Sequence, residues 1–316
     1  MPNACDDGVS SLLPTPSRPK PITLNKHWTT CRAMRVIMSA NLVHFEANLQ
    51  GGVVGHDPEF VHQLRLSLRR MRSAVRIFKP TGIESIDADL NWLDATLGEL
   101  RDFHIFTTKI LPPLCHAFAD PYVSNKVALA ASREAGLKFN VTRDALSSER
   151  LTQALLAMNA WLATLTQWTY VGSFETMVGK DLCQRATSSI GCFSAKEIVQ
   201  AQRKFANFEH RVSELSSAAR HRIRINGKRL RDTVEFFASL YGEKRVVALL
   251  KCLEAIQDQL GVANDYEVSK HLMIGLSTTK GFDEFSRRWF DTRVSETLVG
   301  VDEKLYKARN LRRLLN

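Results

Sequence analysis

The stretch Val61-His62-Gln63-Leu64-Arg65-Leu66-Ser67-Leu68-Arg69-Arg70-Met71-Arg72-Ser73-Ala74-Val75-Arg76-Ile77-Phe78 decides how this chain is read. At about 3.6 residues per turn, His62, Arg65, Arg69, Arg72 and Arg76 fall on one stripe of a helix. Leu64, Leu68, Met71, Val75 and Phe78 form an apolar stripe beside it. No acid interrupts the window. The basic stripe is about 21 Å long at about 1.5 Å per residue. Like charges one turn apart destabilise a helix by about 0.2–0.5 kcal/mol per pair. Alone, such a stripe reads as a solvated face.

The arrangement returns 159 positions later, in Arg220-His221-Arg222-Ile223-Arg224-Ile225-Asn226-Gly227-Lys228-Arg229-Leu230-Arg231-Asp232-Thr233-Val234-Glu235-Phe236-Phe237. His221, Arg224, Lys228, Arg229 and Arg231 fall on His62, Arg65, Arg69, Arg70 and Arg72. Ile223, Leu230, Val234 and Phe237 fall on Leu64, Met71, Val75 and Phe78. A merely solvated face has little reason to recur in register. The copies differ where Glu235 replaces Arg76, and where Gly227 weakens the second helix by about 1 kcal/mol relative to Ala. The next helix repeats as well. Leu97-Gly98-Glu99-Leu100-Arg101-Asp102 matches Leu260-Gly261-Val262-Ala263-Asn264-Asp265 at an offset of 163. The repeating unit is therefore a basic helix and its companion.

Working outward, helical periodicity fills the chain, and alternating β-branched patterns are hard to find. Residues 1–25 hold Pro2, Pro14, Pro16, Pro19 and Pro21 and read as a flexible tail. Helices are expected at 26–50, ended by Gly51-Gly52, and then from the Asp57 cap and Pro58 to Pro80. A helix at 84–111 is expected to stop at Pro112-Pro113, followed by helices at 121–145 and 149–170. Gly172, Gly179 and Gly191 mark 171–195 as a link. The second half reads as helices at 196–217, 218–240, 244–274 and 282–314.

Composition bounds the function. A net charge of +10 calls for an acidic partner: nucleic acid, an anionic membrane surface or another polyanion. The six cysteines form no CxxC pair or zinc spacing, and scattered thiols suit a reducing cytosol. The first residues lack a signal-peptide pattern, and no run of eighteen apolar residues exists, so no membrane insertion is expected.

The doubled pattern His-x-x-Arg-x-x-x-(Arg/Lys)-Arg-x-Arg, each copy followed by Leu-Gly-x-x-x-Asp, resembles the CHAD domain, the conserved histidine α-helical domain. Ser148-Glu149-Arg150-Leu151 through Trp161-Leu162 resembles the middle of that family. The resemblance covers residues 26–316. It implies an all-α fold of two antiparallel four-helix bundles related by pseudo-twofold symmetry, here 26–170 and 196–316 joined by 171–195. It further implies basic helices facing a shared groove or pore, binding of inorganic polyphosphate, and, in some members, residence on polyphosphate granules in the cytoplasm. Many members carry a fused CYTH domain. Its Glu-x-Glu-x-Lys motif is absent here, so that enzymatic activity is not carried over.

The residue types suit that ligand. Polyphosphate carries about one negative charge per phosphate and has no bases to read or stack, so a binder needs a dense row of cations. Arginine adds forked donors that grip phosphate oxygens two at a time. The expected ligand set is His62, Arg65, Arg69, Arg72, Arg76, Arg101, His221, Arg224, Lys228 and Arg231. Arg70 and Arg229 stand at the groove edge or in solvent, and Asp102 and Asp265 are expected to orient cationic side chains. Gly98 and Gly261 are expected to let helices approach closely. His62 and His221 donate more hydrogen bonds when protonated, so binding should strengthen as pH falls. No cofactor, metal site or catalytic residue is expected.

Three rivals stand. A metal-dependent polyphosphate-processing enzyme needs clustered carboxylates or a phosphoryl-accepting His, and neither a Walker loop nor a His-Glu-x-x-His motif is present. A nucleic-acid binder fits the charge, but the stripes lack stacking aromatics. A histidine metal store lacks neighbouring ligands for His62 and His221.

Overall fold

A computed structural model describes residues 15–55, 57–167, 187–207, 211–276 and 279–310. Among these the regular structure is helical, with one isolated bridge between Thr29 and Ser189.

Helix α1 (Thr30–Val54) buries Ile37, Met38, Leu42 and Phe45. Gly51 and Gly52 do not end it. They sit inside and let α2 (Pro58–Phe78) come close: a Cβ at Gly51 would lie 2.2 Å from the Phe60 ring. The helix ends at Gly55, whose φ of 77° favours glycine. Asp57 caps α2 as expected, accepting the Glu59 N–H at 2.8 Å. The helix terminates at Lys79, a non-glycine residue held at a φ of 47°.

Pro112 and Pro113 do not stop the next helix. Helix α3 (Glu84–Ile105) passes through a π-helical turn (Phe106–Ile110) into α4 (Leu111–Ala117). The two prolines sit in the first turn of α4, directly after the π-helical turn. Asp120 caps α5 (Pro121–Leu146), and α6 (Glu149–Gln167) follows.

Residues 168–186, the last three of the helix expected at 149–170 and most of the link expected at 171–195, lie outside the described residues. The rest is ordered differently from expectation. Ser189 caps α7 (Ile190–Phe205), so this helix starts earlier than the predicted 196. Helix α8 (Ser217–Phe237) is the second basic helix, and α9 (Glu243–Ile274) is its companion. The helix expected at 282–314 is two, α10 (Lys280–Leu298) and α11 (Val301–Asn310), separated by Gly300 at a φ of 75°. Arg312 and Arg313 lie outside the described residues.

Helix α2 packs on α1 and α3, and α5 packs on α1 and α3 behind it. In the second half α8 packs on α7 and α9, with α10 and α11 against α9. Gly227 serves this packing, because a Cβ there would meet the Phe205 ring of α7 at 3.1 Å. The halves meet where α2 touches α8 and α3 touches α9. One apolar core runs through both, joining Leu64, Leu68 and Met71 to Ile223, Leu230 and Val234. Burial of one face of each basic helix leaves the charged faces in the seam between the halves.

The stretch expected to be a flexible tail is docked from residue 15 onward. The Ser17 N–H donates to Asn48 Oδ1 at 2.9 Å, and its carbonyl accepts from Asn48 Nδ2 at 3.0 Å. Leu24 is buried, and its N–H donates to Ser239 Oγ at 2.9 Å. Tertiary hydrogen bonds thus override a composition that by itself favours disorder.

Candidate functional site

The seam gathers cations from both copies of the repeat. Lys228 lies in the field of Arg224, Arg69 and Arg65, with Asp232 opposing. Arg224 faces Asp265, Arg65, Arg69 and Asp102. Asp102 lies among Arg65, Arg224 and Arg101, and Arg65 Nη1 is 3.6 Å from Asp102 Oδ1. Four helices converge here. Arg65 and Arg69 come from α2, Arg101 and Asp102 from α3, Arg224 and Lys228 from α8, and Asp265 from α9.

Burial sets the electrostatics. Desolvation, followed by repulsion from Arg224, Arg69 and Arg65, pushes Lys228 down to about 7. Desolvation also lowers Arg224 and Arg101, while Asp265 and Asp102 pull each partly back. Asp102 and Asp265 are raised by burial, against the pull of Arg65 and Arg224 respectively. Asp94, Asp102, Asp232 and Asp265 face these cations and offset part of their charge. Two buried donors are left over: among the described residues, Arg69 Nε and Arg224 Nε have no hydrogen-bond partner. A buried unsatisfied donor costs about 1–3 kcal/mol, more when charged. An oxyanion accepting from these groups would recover that cost.

Each histidine sits near the start of its own basic helix. His62 lies near Arg101, Glu59, Arg69 and Arg65, and burial first, then Arg101, lowers its pKa. His221 Nδ1 is 3.1 Å from Asn264 Oδ1 on α9. Asn264 is the counterpart of Arg101 in the companion helices, so the two histidines keep matching neighbours.

The CHAD domain family matches residues 36–273, across both basic helices and both companions. The chain belongs to the CHAD domain family. The solved CHAD domain from the plant Ricinus communis is 25% identical, with a TM-score of 0.77 over 92% of this chain and 96% of that one. PptA from Streptomyces chartreusis is 15% identical and shares the fold, with a TM-score of 0.58 over 90% of this chain and 100% of that one. No curated protein sequence matches this chain.

This CHAD domain divides the residues singled out from the sequence. His62, Arg65, Arg69, Arg101, Asp102, Arg224, Lys228 and Asp265 share the cluster. Arg72 is paired with Asp94 of α3, and Arg231 with Glu235 at 2.7 Å and Glu254 at 3.6 Å. Both are thus drawn onto acids. Arg76 faces Arg229, away from Lys228 and Arg224.

Arg70 is neither at a groove edge nor in solvent. It is buried, donates to Glu235 Oε2 at 2.5 Å and to Asn41 Oδ1 at 3.0 Å, and stacks over the Phe236 ring. Arg229 is exposed. The glycines do not bring helices together as expected. Gly98 faces the Arg65 guanidinium at ordinary contact distance, and Gly261 faces open space.

Sequence reasoning missed Asp232, Asp94 and Glu235 as partners. Asp232 is buried, accepts from Ser73 Oγ at 2.6 Å and lies 3.6 Å from Arg69. Its one legible signal is an acid inside a predominantly basic window that also holds Glu235. Among the described residues, no group of three His, Cys, Asp or Glu is placed to hold a metal, and no helix is long and apolar enough to cross a membrane.

Proposed function

We propose that this CHAD domain binds inorganic polyphosphate in the seam between α2 and α8. The observation that carries the reading is the packing of Arg65, Arg69, Arg224 and Lys228 into one partly dehydrated cluster with two unpartnered guanidinium N–H groups. Arg65 and Arg69 hold one side of the chain of phosphates, Arg224 and Lys228 the other. Arg101, His62 and His221 extend the track. Asp102 and Asp265 orient the arginines and leave excess positive charge for the ligand.

The domain acts as a binder and not as an enzyme in this reading, because the acids in the seam are committed to arginines. Incubation with polyphosphate and Mg²⁺ should release no phosphate. The binding itself is tested by gel-shift titration of long-chain polyphosphate against wild type and Arg65→Glu/Arg224→Glu. Loss of the shift with helicity retained supports the seam; an unchanged shift overturns it. Excess duplex DNA at about physiological salt should fail to displace the polyphosphate, and displacement would favour nucleic acid. Binding of this kind would place the protein on polyphosphate granules, which a fluorescent fusion would report.

A further inference from the structure

A pocket of about 290 Å³ opens between the C-terminal part of α2, α7 and α8, close to the ~300 Å³ lower bound of typical small-molecule sites. Arg76, Lys79, Lys204 and Arg229 line it, with Glu197 the acid among them and Asn226 an added amide. Arg65, Arg69, Arg224 and Lys228 do not line it. Ser73, one turn beyond Arg69 and tied to Asp232, forms part of its wall. The pocket is therefore separate from the cation cluster of the seam.

The repeat explains why cations outnumber acids in this pocket. At the offset of 159, Arg70 corresponds to Arg229, and Arg76 to Glu235. In one orientation the pair is Arg70 with Glu235, a closed ion pair at 2.5 Å. In the exchanged orientation the pair is Arg229 with Arg76, two cations in place of a cation and a carboxylate. Arg229 is the largest repulsive influence on Arg76 after burial itself, and Arg72 adds to it against Asp232 and Asp87. Lys79 and Lys204 add positive charge at the same opening.

We propose that this pocket is a second anion site, taking a small free phosphorylated anion whose phosphate occupies the place that the Glu235 carboxylate fills in the sister pair. Four cations against one lining acid call for a multiply charged group, so diphosphate is the simplest match. Paired guanidinium forks suit its oxygens. The site stands independently of the polyphosphate reading, since it shares none of the seam cations.

The test is calorimetric titration of pyrophosphate into the full chain, for wild type, Arg76→Glu, Arg76→Gln and Arg65→Glu/Arg224→Glu. Wild type should bind. Arg76→Glu should weaken pyrophosphate at least tenfold, Arg76→Gln should weaken it less, and the seam variant should retain it within about threefold. Without ligand, Arg76→Glu should raise Tm, because its carboxylate can pair with Arg229 as Glu235 pairs with Arg70. No pyrophosphate binding, binding lost in the seam variant, or binding unchanged in both Arg76 variants would each overturn the site. A lower Tm for Arg76→Glu would overturn the claim that a carboxylate belongs there, while Arg76→Gln still reports on binding.

Discussion

Ser73 and Asp232 occupy the same position in the two copies of the repeat, and they touch: the Ser73 hydroxyl donates to Asp232 Oδ2 at 2.6 Å. Corresponding residues meet only where the copies come face to face. The contact marks the seam as the place where the basic helices are joined, and Asp232 also neutralises part of Arg69 there.

Asp232→Ala should therefore cost stability out of proportion to its size. Asp232 is buried, and its loss takes the acceptor from Ser73 and the paired carboxylate from Arg69. The expected destabilisation is about 1–3 kcal/mol, read as a lower urea midpoint with an unchanged slope. Ser73→Ala should cost less, because the carboxylate keeps Arg69. Equal midpoints for wild type and Asp232→Ala would show that the seam contact holds nothing together.

Lys228 should make binding sensitive to pH above neutrality. In the free protein it titrates at about 7, below the ordinary lysine value. A bound polyanion favours the ammonium and raises that value, so binding takes up a proton. The Lys228 contribution to affinity should be flat below about pH 7 and fall as pH rises from there toward the lysine range. Lys228→Arg should flatten the profile between pH 7 and 9 at fixed salt. Free-protein stability should run the other way. The unfolded chain binds more protons on Lys228 in that window, so this group makes stability rise with pH. His62, lowered by burial, adds its own proton uptake only below the usual histidine range.

The arginines of the two stripes should prove unequal. Arg65→Glu/Arg224→Glu should nearly abolish polyphosphate binding and reduce its salt dependence, with the circular-dichroism spectrum unchanged. Arg72→Gln and Arg231→Gln should change affinity by less than about threefold, since each is hydrogen-bonded to a carboxylate outside the Lys228 cluster, whereas Arg65 stands 3.6–4.0 Å from its acids. If all four contributed alike in filter-binding titrations, the stripe would act as a diffuse charge and not as a built cluster.

Two glycines should respond in opposite directions to alanine. At Gly261 a Cβ meets nothing within 4 Å, so Gly261→Ala should stabilise α9 by about 0.5–1 kcal/mol through backbone entropy. At Gly51 the same Cβ would overlap the Phe60 ring at 2.2 Å, so Gly51→Ala should lower Tm by prying α1 from α2. Thermal melts of both variants decide this.

Glycines and prolines were the least legible residues for a shared reason. Their conformational signal is the same whether they end a helix or let one approach another. Gly51-Gly52 looked like a terminus and is a packing notch; Pro112-Pro113 looked like a stop and opens α4. Residues 15–25 looked flexible because the hydrogen bonds that hold them come from Asn48 and Ser239, remote in sequence.

The sequence by itself determined the helices, their apolar faces and the doubling of a basic helix with its companion. Those properties rest on periodicity, which is local to each helix and set by backbone geometry. Tertiary structure alone decided which cations remain available. Arg65 and Arg72 share a stripe and both reach Asp94, yet Arg65, 4.0 Å from it, also faces Asp102, Arg224 and Lys228 in the seam, while Arg72 is hydrogen-bonded to Asp94. Charge is carried by a residue, but its neutralisation depends on a carboxylate brought within a few ångströms by another helix. Helix packing sets that distance, which is why Arg70 ended in a buried ion pair and Arg76 beside another arginine.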